Sequence, residues 1–331
     1  MWFEELTGFT EHSPAQVRSN LELNGNSITS RINGKTFICG RLETPSLAEL
    51  RSAKPARQVP SGRISISEVV ADAQTLHADP ANAGALFQVA SQFNLLEMIS
   101  QDVTPEQGID RYESDHTQGP ACAVAAGAGT IYRNYLVKVN GKTGQSADNQ
   151  IDCLRDIGNT LGNTGGRLWR MQNGYALASV TGLAEISSRL KAMSGQERDA
   201  LRKKLRIGIQ WDTQVTILGC RHLVSQVYAS AMPVAYSSHA NGLWENFARF
   251  VLEASYEATF WSGLMNYART GNNKVYLTLL GGGAFGNDED WIIAAIERAL
   301  ELFSHVPLDV AIVSYKTSKK PVKELVSLVK S

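Results

Sequence analysis

The chain has 331 residues, 43% hydrophobic and 19% charged, which is enough apolar material for one large α/β domain or two smaller ones. Lys plus Arg and Asp plus Glu each number 32, so the formal net charge is zero, and neither nucleic acid nor a membrane surface is expected as a partner. No apolar run is long enough to cross a bilayer, and Met1-Trp2-Phe3-Glu4-Glu5 lacks a signal-peptide pattern; with four scattered cysteines, these features predict a cytoplasmic protein without a disulfide framework.

Residues 1–60 read as an N-terminal extension packed on the main domain, outside its sheet. Asn33-Gly34 between the runs 27–32 and 36–39 is a hairpin signal, and Ser46 with Glu49 three residues on predicts a capped short helix. The stretch 54–62, with its prolines and glycine, is a connector, which places the main domain at 61–331. A strand over 64–72 ends at Asp72, and a second over 85–91 leads into Gln92-Phe93-Asn94. The segment 102–120 then carries Asp102, Glu106, Asp110, Glu113 and Asp115 together with Tyr112 and His116. Gly119-Pro120 opens a run of small residues over 121–130, whose short side chains allow a helix to approach a backbone or ligand closely.

The region 132–222 reads as a mid-chain insertion. It offers a strand at 132–139, a helix at 152–161, a strand at 174–180, a helical segment over 185–205 with a solvated basic face, and either a bent strand or a tight hairpin over 207–218. A strand follows within 223–235, then a long helix over 244–268 with Phe247, Phe250, Val251, Ala254, Ala258, Trp261 and Leu264 on one face.

The clearest unit closes the chain. The apolar run 275–280 is a buried strand, 288–303 is a helix with Trp291, Ile292, Ala295, Ile296 and Ala299 on one stripe, and 308–313 is another buried strand. Between the first two lies Gly281-Gly282-Gly283-Ala284-Phe285-Gly286-Asn287, at the carboxyl end of a strand, where open α/β sheets bind ligands. Glycine amides without side chains in front of them can converge on a diphosphate at a helix start, although Asp288, Glu289 and Asp290 would repel it unless held away. The lysines at 316, 319, 320 and 323 read as a solubilising surface.

A strand ending in Asp72, a strand leading to Asn94 and the late loop 281–287, in that order, resemble the macrodomain superfamily, most closely its poly(ADP-ribose) glycohydrolase-like branch. The resemblance implies a three-layer α/β/α fold with a mixed sheet. It also implies ADP-ribose binding, with Asp72 at the adenine, Asn94 at the distal ribose and Gly281, Gly282, Gly283, Ala284, Phe285, Gly286 and Asn287 at the phosphates. The glycine triplet that usually follows the asparagine is absent here, where the chain reads Leu95-Leu96-Glu97-Met98, so the acidic segment 102–120 is expected to replace that loop over the distal ribose.

Cleaving a glycosidic bond to ADP-ribose passes through an oxocarbenium-like state, which carboxylates stabilise while orienting water. Asp115, Asp110 and Glu106 are the expected catalytic acids, in that order, with Asp102, Tyr112 and Glu113 in reserve and His116 as a possible positioning group. Acidic residues also suit an arginine leaving group, as in the macrodomain-type ADP-ribosyl-arginine hydrolases of bacterial effectors that this pattern resembles. The expected partners are thus ADP-ribose and an ADP-ribosylated protein. No metal is expected, since no Cys/His cluster or HExxH pattern is present, and no cofactor is needed. A non-catalytic module that binds ADP-ribose or a related nucleotide signal is the alternative. A nicotinamide-dependent oxidoreductase would want a GxGxxG in its first βαβ unit, which the sequence lacks.

Overall fold

The computed structural model describes residues 1–330; Ser331, the last residue of the expected main domain, lies outside them. Seven short strands make the central sheet: β1 (Arg41–Glu43), β2 (Ser65–Val70), β3 (Leu86–Ala90), β4 (Gly208–Gln214), β5 (Leu223–Ala229), β6 (Lys274–Leu277) and β7 (Asp309–Ser314). Their spatial order is β1-β4-β5-β3-β6-β7-β2. The five strands from β5 to β2 run parallel, and β4 is antiparallel to both of its neighbours, so the sheet is mixed as expected. A bulge between Gln210 and Thr213 supplies the bend read in β4.

The helices that matter for the site are α1 (Trp2–Thr7), α2 (Ala73–Ala78), α3 (Gln118–Ala125), α4 (Gly127–Ile131), α5 (Asn241–Thr270), α6 (Glu289–Leu302) and α7 (Lys320–Lys330). Strand periodicity sorts the side chains between two covering layers. Gln88 of β3 reaches Thr259 on α5 at 2.9 Å, whereas Gln226 of β5 reaches the carbonyl of Cys122 on α3, also at 2.9 Å. Val275, Leu277, Val310 and Ile312 join the core shared with α5 and α6, while Phe87, Tyr276 and Ala311 pack in a separate cluster. The result is the three-layer α/β/α arrangement. The small residues of α3 act as read: a Cβ on Gly119 would sit 2.0 Å from the Ala90 carbonyl oxygen, so only glycine lets the helix start this close to β3.

Several expectations change. β1 pairs with β4 and forms an edge of the main sheet, so the first 60 residues are not merely an appended layer. They also bury Trp2, Phe3 and Leu6 against Val124, Ala128 and Ile131 of α3 and α4, while no helix or strand lies between Ser52 and Ser65. The hairpin at Asn33-Gly34 joins Ser27–Ser30 to Thr36–Ile38, and Ser46 and Glu49 form their capping box ahead of Leu47–Ser52. Residues 132–139 are not one strand: α4 continues into a π-helical turn, Tyr132–Leu136, and only Lys138–Val139 is extended. Arg133, Asn134, Tyr135 and Leu136 are all buried in succession, on a widened helical turn rather than a pleat. The segment 185–205 divides into Val180–Ala192 and Gly195–Arg202, because Ser194 and Glu197 form a second capping box. Its basic face is partly engaged, with Arg202 2.6 Å from Glu253 on α5. Among the described residues no helix is long and apolar enough to cross a membrane.

Candidate active site

Because β2, β3, β5, β6 and β7 run parallel, their carboxyl ends line one edge of the sheet, with the adjoining β7 and β2 ending level in the pair Ser314↔Val70. Asp72 follows β2 and caps α2, its carboxylate accepting hydrogen bonds from the amides of Gln74 (2.7 Å) and Thr75 (3.4 Å). Tyr315 follows β7, with its ring half exposed and the Lys316 ammonium 5.0 Å from the ring centre. A cavity of about 1280 Å³ opens here, and Asp72, Asp115, His116 and Tyr315 all line it.

Asn94 lies inside. It is fully buried, donates to Gln150 Oε1 at 2.8 Å and accepts from the Leu96 amide at 3.1 Å, holding a turn in which Leu95 has φ +66°. That turn stands where the usual glycine triplet would be, and Gly174 closes over the Asn94 side chain.

The glycine-rich loop leaves β6 and folds back on itself. Gly282 donates to the Leu279 carbonyl, Gly286 to that of Gly283 and Asn287 to that of Gly281, while the Asn287 side chain donates to the Met232 carbonyl at 2.7 Å. These bonds leave the amides of Gly283, Ala284 and Phe285 without a hydrogen-bond partner among the described residues. Gly282, Gly283 and Ala284 are exposed. Two of the three acids at the start of α6 are occupied: Asp288 caps the helix through the Asp290 amide at 3.0 Å, and Glu289 lies 3.3 Å from Lys319. The repulsion expected there is reduced accordingly.

The loop is not part of the cavity wall. An aromatic cluster backs the loop, with Phe285 and Tyr175 centred 5.3 Å apart and Tyr175 and Tyr236 4.9 Å apart. Burial pushes the Tyr175 phenol well above its ordinary range, Tyr236 adds to this, and the nearby Asp115 charge contributes further.

The acids of the 102–115 segment differ in what they hold. Glu106 accepts from the Ala147 amide at 2.9 and 3.1 Å, and Asp102 from Gln172 Nε2 at 3.0 Å. Glu113 accepts from the Trp2 amide at 3.1 Å, also at the cavity. Asp110 is buried at the start of α1, where desolvation raises its pKa while the N-terminal ammonium and the Phe3 amide pull it back. Glu11 accepts from the amides of Ile109 and Asp110, both at 2.8 Å. Asp115 borders the cavity, and its carboxylate accepts from the amide (2.9 Å) and hydroxyl (2.7 Å) of Thr117. Of the three expected catalytic acids, Asp115 faces the open volume, whereas Asp110 and Glu106 hold backbone.

Behind the cavity runs a buried polar chain that the sequence did not announce. Arg133 and Glu97 are both fully enclosed, with one guanidinium nitrogen 3.2 Å from each carboxylate oxygen. Arg133 also donates to the Leu95 carbonyl at 3.0 Å and to the Tyr228 hydroxyl, and its guanidinium lies 3.7 Å over the Tyr228 ring. Tyr228 donates to Gln226, which meets His77 Nε2 at 3.0 Å, and His77 Nδ1 in turn meets the Ala73 carbonyl beside Asp72. Burial raises the Glu97 pKa to about 7, although Arg133 and Tyr112 oppose the shift. No group of three or more His, Cys, Asp or Glu able to hold a metal occurs among the described residues.

Tyr315, Tyr175 and the Glu97–Arg133 pair escaped the sequence reading. For Tyr315 a signal existed, namely an aromatic residue directly after the last parallel strand. Tyr175 stands as one residue of the strand expected at 174–180, and a Glu and an Arg 36 positions apart carry no periodicity that would join them.

No protein-family model matches the chain, and no curated protein matches it. Solved structures do. The poly(ADP-ribose) glycohydrolase of Deinococcus radiodurans in complex with ADP-ribose is 11% identical, with 96% of each chain covered and a TM-score of 0.42. The enzyme of the same name from Thermomonospora curvata is 13% identical over 96% of this chain and 97% of its own, with a TM-score of 0.44. Its form bound to the inhibitor ADP-HPD is 12% identical over 95% and 97%, with a TM-score of 0.40.

Proposed function

We propose that this protein binds ADP-ribose along the carboxyl edge of its sheet and hydrolyses the bond between the distal ribose and a protein side chain. The observation that carries the reading is the convergence of Asp72, Tyr315 and Asp115, from three separate elements, on one cavity. In this reading Asp72 and Tyr315 hold the adenine by hydrogen bonding and stacking, and the unpaired amides of Gly283, Ala284 and Phe285 receive the diphosphate. Asn94, buried in its turn, shapes the ribose end from behind.

Asp115 orients a water whose oxygen attacks the anomeric carbon as the bond to the side chain breaks; its charge stabilises the oxocarbenium character that develops. The departing nitrogen or oxygen takes up a proton, and the water loses one. Arginine is the side chain this site suits, because Glu113 and Asp115 border the same volume and a guanidinium pairs with carboxylates through two N–H donors. Four free cysteines accord with a cytosolic setting.

One observation favours the binding-module alternative: one oxygen of the Asp115 carboxylate, Oδ1, already accepts two hydrogen bonds from Thr117. Calorimetric titration with ADP-ribose, with AMP and NAD as controls, tests the binding. Release of ADP-ribose from an ADP-ribosylated arginine peptide separates the two readings, since a hydrolase loses turnover and keeps binding when Asp115 and Asp110 are both replaced. Turnover that survives the double replacement rules the catalytic assignment out.

A further inference from the structure

We infer that Glu97 is a positioning residue that fixes Asp115 through Tyr112, with Arg133 anchoring Glu97 in turn; the catalytic half of this inference rests on the function proposed above. Tyr112 is the middle residue of the 3-10 turn Asp110–Ser114 that ends at Asp115. It is held at both ends. Its hydroxyl oxygen accepts from the Glu97 amide at 3.0 Å, and its carbonyl accepts from the Asp115 amide at 3.2 Å. Displacing the Tyr112 ring therefore moves the backbone that carries the Asp115 carboxylate to the cavity.

Glu97 can serve as a fixed point because nothing around it can move cheaply. Its side chain is fully enclosed, and the Arg133 guanidinium spans both its oxygens while also engaging the Leu95 carbonyl, Thr130 Oγ1 and the Tyr228 hydroxyl. The groups facing the carboxylate come from four elements: Tyr112 from the acidic segment, Cys122 from α3, Arg133 from the π turn and Tyr228 from β5. A buried ion pair of this kind is weak grounds for stability, because replacing both partners with apolar groups often costs nothing. Removing one partner is another matter, since it strands a charge in the interior. What the pair supplies is a defined location for the Glu97 amide, and through it for the acidic turn.

The test uses the full chain. Tyr112→Phe keeps the ring and removes only the hydroxyl that the Glu97 amide meets. Hydrogen exchange at the Asp115 amide should quicken about fivefold, the factor carried by one net hydrogen bond. The rate of ADP-ribose release at saturating substrate should drop by on the order of tenfold to a hundredfold, as small misplacements of a reacting group do, while the dissociation constant for ADP-ribose stays within about twofold. Glu97→Gln should do the same if it folds; if it does not, Tyr112→Phe decides. Unchanged exchange at Asp115 in Tyr112→Phe overturns the inference, and so does a weakened affinity with an intact rate. If the unaltered protein releases no ADP-ribose, the proposed hydrolysis fails, and the exchange measurement still determines whether Tyr112 and Glu97 position Asp115.

Discussion

The acidic segment 102–115 and the glycine-rich loop 281–287 approach the same edge of the sheet with opposite economies of hydrogen bonding. In the acidic segment most of the carboxylates are engaged. Glu106, Asp102 and Glu113 accept from distant backbone or side chains, and Glu11 reaches in to meet two of the segment's own amides. In the glycine-rich loop three consecutive amides are left unpaired near solvent, held in place by the internal bonds of Gly281, Gly286 and Asn287. A run of carboxylates therefore need not mark a reactive surface; here Glu113 and Asp110 meet the amides of Trp2 and Phe3, and Glu106 meets that of Ala147. Unpaired amides on a fixed loop are the more specific sign of a ligand.

That contrast can be broken most severely at Asp115. Asp115→Asn should reduce ADP-ribose release by more than about a hundredfold, the range of a lost general base or stabilising charge, with calorimetric affinity preserved. Gly281 comes next. It sits at φ +77°, and a Cβ would lie 2.4 Å from the Ala231 Cβ and 2.6 Å from Asn287 Nδ2. Gly281→Val should cost about 2–4 kcal/mol in chemical denaturation and abolish measurable binding. Gly283→Ala, where a Cβ meets nothing within 4 Å, is the control, with stability changed by less than about 0.5 kcal/mol.

Tyr315→Ala should weaken ADP-ribose binding about tenfold, leave the melting temperature unchanged, and affect AMP to the same degree if the ring stacks on adenine. Glu106→Ala should show the reverse pattern: a loss of about 1 kcal/mol in stability and a far smaller effect on release than Asp115→Asn. The smallest effect is on pH dependence. Glu97 holds its proton to about pH 7 in the folded chain against an ordinary value of 4.5, so its contribution to stability is full below 4.5 and is lost as pH rises through 7. His77, buried and shifted down to about 4 from 6.5, contributes fully above 6.5 and loses its contribution as pH falls through 4. The two oppose each other between 4.5 and 6.5. Denaturant titrations of a folded Glu97→Gln variant should accordingly show a steeper rise of stability with pH in that window.

How far the chain could be read in advance depended on how local each signal was. The unit from β6 through the glycine-rich loop to β7 was legible because apolar runs, glycines and a 3.6-residue stripe all lie within about forty residues. The capping box at Ser46 was equally local. β1 was missed because three residues carry no pattern and only pairing with β4, far along the chain, makes them a strand. The segment 132–139 carries residue types favoured in strands, Tyr132, Tyr135, Val137 and Val139, whereas the widening of a helix into the π turn leaves no local mark. Within the acidic segment the sequence located the residue types but could not tell which carboxylate faces open volume, because that depends on Trp2, Phe3 and Ala147, residues brought in only by the fold. The Glu97–Arg133 pair was out of reach for the same reason.

The most direct test of the central geometry is an amide chemical-shift titration of the isotopically labelled protein with ADP-ribose. The account predicts that the largest saturable shifts fall on Gly283, Ala284 and Phe285, with a second group at Asp115 and its neighbours. Saturable binding that leaves those three amides unmoved would contradict it.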